Sequence, residues 1–126
     1  MGGIVMTQED KELLLKDLCA RLPYNVICKV EFRESGEYKS KNMFLSGVFT
    51  DEAYFTTESG SIYSNEYKPY LFPLSSVTKE MLEELSAYID IKNAYVAVEF
   101  FNSHHIDYRG LIEKGLAIDA TGKNIY

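Results

Sequence analysis

Apolar residues recur at helical spacing up to Pro23, then alternate with a period of two, and return to helical spacing only after Thr78. This change of period constrains the fold more than any other feature. A helix buries positions about 3.6 apart, whereas a half-buried strand buries every second one. Before Pro23, the residues Leu14, Leu15, Leu18, Cys19 and Leu22 make one apolar stripe. Thr7 is placed to cap that helix, and Glu9 and Asp10 lie in the first turn, where the dipole favours negative charge. Pro23 biases Leu22 away from helical geometry, so a helix over residues 8–21 is expected.

In the middle segment, Val26, Cys28, Val30 and Phe32 alternate with Ile27, Lys29, Glu31 and Arg33, the pattern of a half-buried strand. Glu34-Ser35-Gly36-Glu37 signals a turn, and 38–42 fits either a loop or the frayed start of the next strand. Met43–Thr50 is a strand interrupted by Gly47, which suggests a bulge. Turns at Asp51-Glu52 and Ser59-Gly60 then bound short strands at 53–57 and 61–63. Pro69 and Pro73 exclude a helix and argue against a central strand, so 67–76 is expected to be an extended edge segment or a polyproline-like stretch. Thr78 caps a second helix with Met81, Leu82, Leu85, Tyr88 and Ile89 on its apolar face. Residues 93–102 fit a helix through Ala94, Val98 and Phe101, with a strand as the competing reading. The tail from Ala120 is expected to be mobile or to dock late.

At 126 residues the chain is expected to form one domain, with 1–6 disordered or an expression remnant. The fold class is α+β: a small curled antiparallel sheet, barrel-like in character, packed by the N-terminal helix and the C-terminal helices. A net charge of −6 argues against nucleic acid, whose phosphates are met mainly by Lys and Arg. That possibility would require Lys29, Arg33, Lys39, Lys41 and Lys68 to gather on one face without intervening acids. No apolar run approaches a membrane span, and the start lacks the basic, apolar pattern of a secretory leader, so a cytoplasmic protein is expected. Cys19 and Cys28 are expected to be buried thiols; no spacing suggests a zinc site and no cofactor is implied.

Chemistry-bearing side chains concentrate at Asn102–Ile112, which holds both histidines, His104 and His105, with Asp107, Tyr108 and Arg109. Adjacent histidines diverge on a helix or a strand, so they are poor co-ligands for one metal. A helix C-terminal turn explains them better, where histidines meet the last free carbonyls. Asp107, Tyr108 and Arg109 could supply a base, a phenol and an anion-binding group. The structural alternatives are a buried Asp–Arg pair and a cap by Asp107 on the turn that follows. Tyr63, Tyr67, Tyr70 and Phe72 are aromatic contact candidates, since aromatics dominate binding hot spots. Thr121-Gly122-Lys123 lacks the rest of a phosphate loop.

The segments Leu18-Cys19-Ala20-Arg21-Leu22-Pro23-Tyr24, Lys68–Ser76 and His104–Ala117 resemble, in order, those of small uncharacterised proteins from gut Bacteroidetes and their prophages. The resemblance implies a bacterial or phage protein and assigns no activity. Tyr95–Phe100 departs from it toward β-branched residues. The resulting expectation is a non-enzymatic module that binds a host or phage protein. Its contact residues would be Tyr67, Tyr70, Phe72, His105, Tyr108 and Arg109, with no catalytic or metal-ligating residue. The alternative is a small enzyme or ligand-binding protein centred on His104–Arg109.

Overall fold

The computed structural model describes residues 7–48, 53–57, 60–64, 66–88 and 94–126. Helix α1 (Gln8–Arg21) opens with a reciprocal cap: Asp10 N donates to Thr7 Oγ1 at 3.0 Å, and Thr7 N donates to the Asp10 carboxylate at 3.4 Å. Its buried stripe is Leu14, Asp17, Leu18 and Arg21. The expectation that Cys19 lies on the buried face is corrected, because Cys19 is exposed while Cys28 is buried. A single 3₁₀ turn over Leu22–Tyr24 carries Pro23, and Asn25 at φ 55° redirects the chain into the sheet.

Strands β1 (Ile27–Glu34) and β2 (Glu37–Val48) form a hairpin closed by Ser35 and Gly36. Both turn residues have positive φ, 53° and 82°, the two-residue turn whose twist matches that of the strands. Residues 38–42 are strand, because they pair in register with 29–33 of β1. β3 (Ala53–Thr57) and β4 (Gly60–Ser64) extend the meander. The β2–β3 register shifts between Leu45 and Gly47, which is the bulge that Gly47 suggested. The turns at Asp51-Glu52 and Ser59, residues 1–6 and Ile89 lie outside the described residues.

β5 (Tyr67–Pro73) differs from the expected edge segment: it pairs with β1 and also with two short parallel strands, β6 (Ile106–Asp107) and β7 (Ile118–Asp119). The proline argument fails at Pro69 for a geometric reason. In an antiparallel ladder only alternate pairs exchange backbone hydrogen bonds. Glu31 N donates to Glu66 O at 2.9 Å, which makes Cys28–Pro69 a pair that exchanges none. The missing N–H of Pro69 is therefore never required by β1. Pro73 stands at the end of the strand.

The strand order is β4-β3-β2-β1-β5-β6, with β7 also on β5, and the sheet is not closed. It curls, however: Ser64 Oγ donates to Glu31 O at 2.8 Å and ties the end of β4 back to β1. Helices α2 (Lys79–Tyr88) and α3 (Ala94–Ser103) precede β6, and Met81 N donates to Thr78 Oγ1 as the cap at Thr78 required. On α2, Leu82 faces solvent rather than the core. The inner face of the sheet, through Cys28, Val30, Met43, Leu45 and Phe55, packs on Leu14 and Leu18 of α1. The architecture is α+β, with helices packed against a small curled sheet.

Candidate functional site

Helix α3 ends at the paired histidines. His104 N and His105 N donate to Phe100 O and Asn102 O, each at 3.1 Å, and His105 takes φ 58°. A left-handed residue just past a helix is the usual way to satisfy its last carbonyls, though most chains use Gly or Asn there. The chain then enters β6, and Phe72 N of the partner strand β5 donates to His105 O at 2.8 Å. Both oxygens of the buried Asp107 are taken by the next turn, accepting from Leu111 N and Ile112 N at 2.9 Å each. Asp107 is thus a cap that fixes residues 107–112, as one structural alternative held.

The acid that meets Arg109 is Asp17 of α1. Its carboxylate accepts Arg21 Nε at 2.7 Å, Arg21 Nη2 at 3.2 Å and Arg109 Nε at 3.1 Å. Arg21 also donates to Ile106 O at 2.6 Å and so bolts α1 to β6. The Tyr108 ring lies beside both guanidiniums, with Cζ to centroid distances of 5.4 Å for Arg21 and 4.9 Å for Arg109. Its hydroxyl accepts from Arg109 Nη2 at 3.2 Å. Asp17 and Arg21 were missed by the sequence reasoning. Their signal was present, since a carboxylate and a guanidinium four residues apart share the stripe of Leu14 and Leu18.

Tyr126 is a third residue missed. Its hydroxyl sits where β1 and β5 separate, accepting from Ile27 N at 2.9 Å and donating to Tyr70 O at 2.7 Å. Its ring stacks on His105 with centroids 3.7 Å apart and planes at 12°. The tail therefore docks, with Ala120 N donating to Leu71 O at 2.8 Å. Burial, reinforced by the charges of Arg21 and His104, holds the His105 imidazole down to about 4. Burial likewise pushes the Tyr126 phenol upward, so it stays a neutral hydroxyl.

The expected aromatic contacts take different places. Tyr67 is buried against Phe55, with ring centroids 5.3 Å apart, and burial raises its phenol to about 12. Tyr70 is buried on the other face and donates to Asn42 Oδ1 at 2.8 Å. Phe72 is half-buried beside Tyr126. His105, Tyr108 and Arg109 are half-buried within the contacts just described. Tyr63 does stand outward. With Phe44, Ser46, Tyr54, Thr56 and Ser61 it makes an outer face across β2, β3 and β4 that, among the described residues, carries no ionisable acid or base beyond tyrosine. Phe44 and Tyr63 are 48% and 56% exposed, and the rings of Tyr54 and Tyr63 lie 4.6 Å apart. Ser46, Thr56 and Ser61 form a hydroxyl ladder between them.

No family model, curated protein or solved structure matches this chain. Among the described residues, the block from His104 to Arg109 presents no nucleophile hydrogen-bonded to a base. No group of three His, Cys, Asp or Glu among them is placed to hold a metal ion, and no helix among them is long and apolar enough to cross a membrane. A metal site with Asp107 would also need a remote acid such as Asp90 or Glu99, and Asp90 lies outside the described residues. The five cations do not gather. Lys29, Arg33 and Lys68 share the outer face with Glu31, whereas the register puts Lys39 and Lys41 on the opposite face, where Lys39 meets Glu34 at 3.6 Å.

Proposed function

We propose that this protein is a non-enzymatic protein-interaction module of a phage or mobile element, and that it contacts its partner through the outer face of β2, β3 and β4. The observation that carries this reading is the uncharged aromatic and hydroxyl surface around Phe44, Tyr54 and Tyr63, held open on a strand scaffold. Large rings with few rotatable bonds give contact area at low entropic cost, and exposed aromatic clusters of this kind mark binding surfaces. The overall charge of −6 matters less on a face whose described residues carry no charge, where association is driven by burial. The resemblance to proteins of gut Bacteroidetes and their prophages supplies the biological setting.

The His104–Arg109 block has a different part in this reading. Its polar groups organise the junction of α1, α3, β6 and the tail, so they set the shape of the module. The test is affinity capture from bacterial lysate, with and without phage induction. The baits are the wild-type chain, Phe44→Ser with Tyr63→Ser, and Leu82→Ser as a control at an exposed apolar residue elsewhere. A protein retained by the wild type and the control but lost by the double variant is expected. Equal retention by all three baits would overturn the assignment of the surface.

A further inference from the structure

We propose that Arg21, Arg109 and Tyr108 form a binding site for a monocarboxylate, entered beside Arg109 and Gly110. The two guanidiniums share one ion-paired carboxylate, that of Asp17. Asp107, the nearest acid in the chain, has both oxygens on backbone amides. Arg21 is fully buried, yet its Nη1 has no hydrogen-bond partner. A buried guanidinium with an unmet donor carries a desolvation cost that an additional acceptor would remove. Arg109, bonded through Nε and Nη2, keeps 19% of its side chain in contact with solvent. At its neighbour Gly110 a Cβ would meet no heavy atom within 4 Å outside the adjoining residues, so there is open space beside Arg109.

The chemistry of the walls selects the ligand. A guanidinium edge presents paired N–H donors that match a planar carboxylate. The half-buried rings of Tyr108 and Phe101, with centroids 5.9 Å apart, offer an apolar surface to the organic remainder of an acid. A single negative charge balances the second guanidinium; a phosphate dianion would add repulsion against Asp17. The site is separate from the outer face of β2–β4 and does not depend on it.

The probe is benzoate, with benzamide as the uncharged counterpart, both at constant ionic strength set by sodium chloride. Benzoate is expected to raise the thermal midpoint along a saturable curve and to move the Arg109 Nε resonance in a ¹⁵N-resolved spectrum. Benzamide is expected to do neither. Arg109→Gln keeps the two Arg21–Asp17 bonds and should weaken benzoate binding at least tenfold, and Arg109→Lys should give an intermediate loss. An equal response to benzamide, an unmoved Arg109 Nε resonance, or unchanged benzoate affinity in Arg109→Gln would overturn the proposal. If Arg109→Gln fails to fold, the wild-type resonance and the benzamide comparison decide it alone.

Discussion

Replacing Tyr126 by Phe removes one oxygen atom and leaves the ring stacked on His105. That oxygen joins two strands, because it accepts from Ile27 N at 2.9 Å and donates to Tyr70 O at 2.7 Å. Without it, a backbone donor and a backbone acceptor lose their partners where β1 and β5 part. An unmet buried polar group costs about 1–3 kcal/mol. Ile27 and Tyr126 are partly accessible, so water can replace some of what is lost, and the low end applies to each group. The expected destabilisation is about 2 kcal/mol, or roughly 6–10 °C in midpoint for a domain of this size. Urea unfolding followed by far-ultraviolet circular dichroism measures the first figure and a thermal scan the second. Amide exchange adds a local signature, since Ile27 N–H should lose protection while the β2–β3 amides keep theirs. Deleting Tyr126 should cost more than Tyr126→Phe, because the stack on His105 and the contact with Phe72 go as well. A Tyr126→Phe protein within about 0.5 kcal/mol of wild type, the ordinary range of surface changes, would refute the reasoning.

Three further outcomes follow from the same structure. Asp17→Asn leaves Arg21 buried without its ion pair, so unfolding free energy should fall by about 3–5 kcal/mol in denaturant titration. For His105, the unfolded chain holds a proton below about 6.5 whereas the folded one does so only below about 4, so stability should fall as pH drops between those values. The full shift corresponds to roughly 3 kcal/mol, and solvent screening of a half-exposed ring reduces this to about 1–2 kcal/mol. His105→Asn, which suits the left-handed backbone, should flatten that slope; an unchanged slope would contradict the assignment. In native protein a thiol reagent should titrate Cys19 rapidly and Cys28 only on unfolding, because burial, with the Asp17 carboxylate adding, pushes the Cys28 thiol well up. Two fast thiols would contradict the packing.

The parts of this fold set by local rules were readable in advance. The capping residues Thr7 and Thr78, the turn at Ser35-Gly36 and the bulge at Gly47 stand where short-range chemistry put them. What failed depended on pairing between distant segments. Pro69 sits inside the sheet because its partner Cys28 asks nothing of its nitrogen, a fact of register that no single strand reveals. Asp17 and Arg21 lie on the stripe of Leu14 and Leu18, but only the fold brings a second cation, 92 residues from Asp17, to share the carboxylate. Tyr126 looked like a loose end because its partners Ile27 and Tyr70 become adjacent only after β1 and β5 pair and then separate. The C-terminal block from Asn102 to Ile112 holds the densest run of polar chemistry in the sequence. Its density reflects a junction: His105 ends α3, Asp107 caps a turn, and Arg109 joins α1. The exposed aromatics emerged only from strand alternation, which turned Tyr67 inward and Tyr63 outward from segments of similar composition.

The central claim is that the partner meets the outer face of β2, β3 and β4. Its most direct test is site-specific photo-crosslinking in the producing cell, with a benzophenone side chain in place of Tyr63 and, separately, in place of Leu82. The account predicts a discrete covalent adduct with one protein from position 63 and none of that mass from position 82. The same adduct from both positions, or an adduct from position 82 alone, would contradict it.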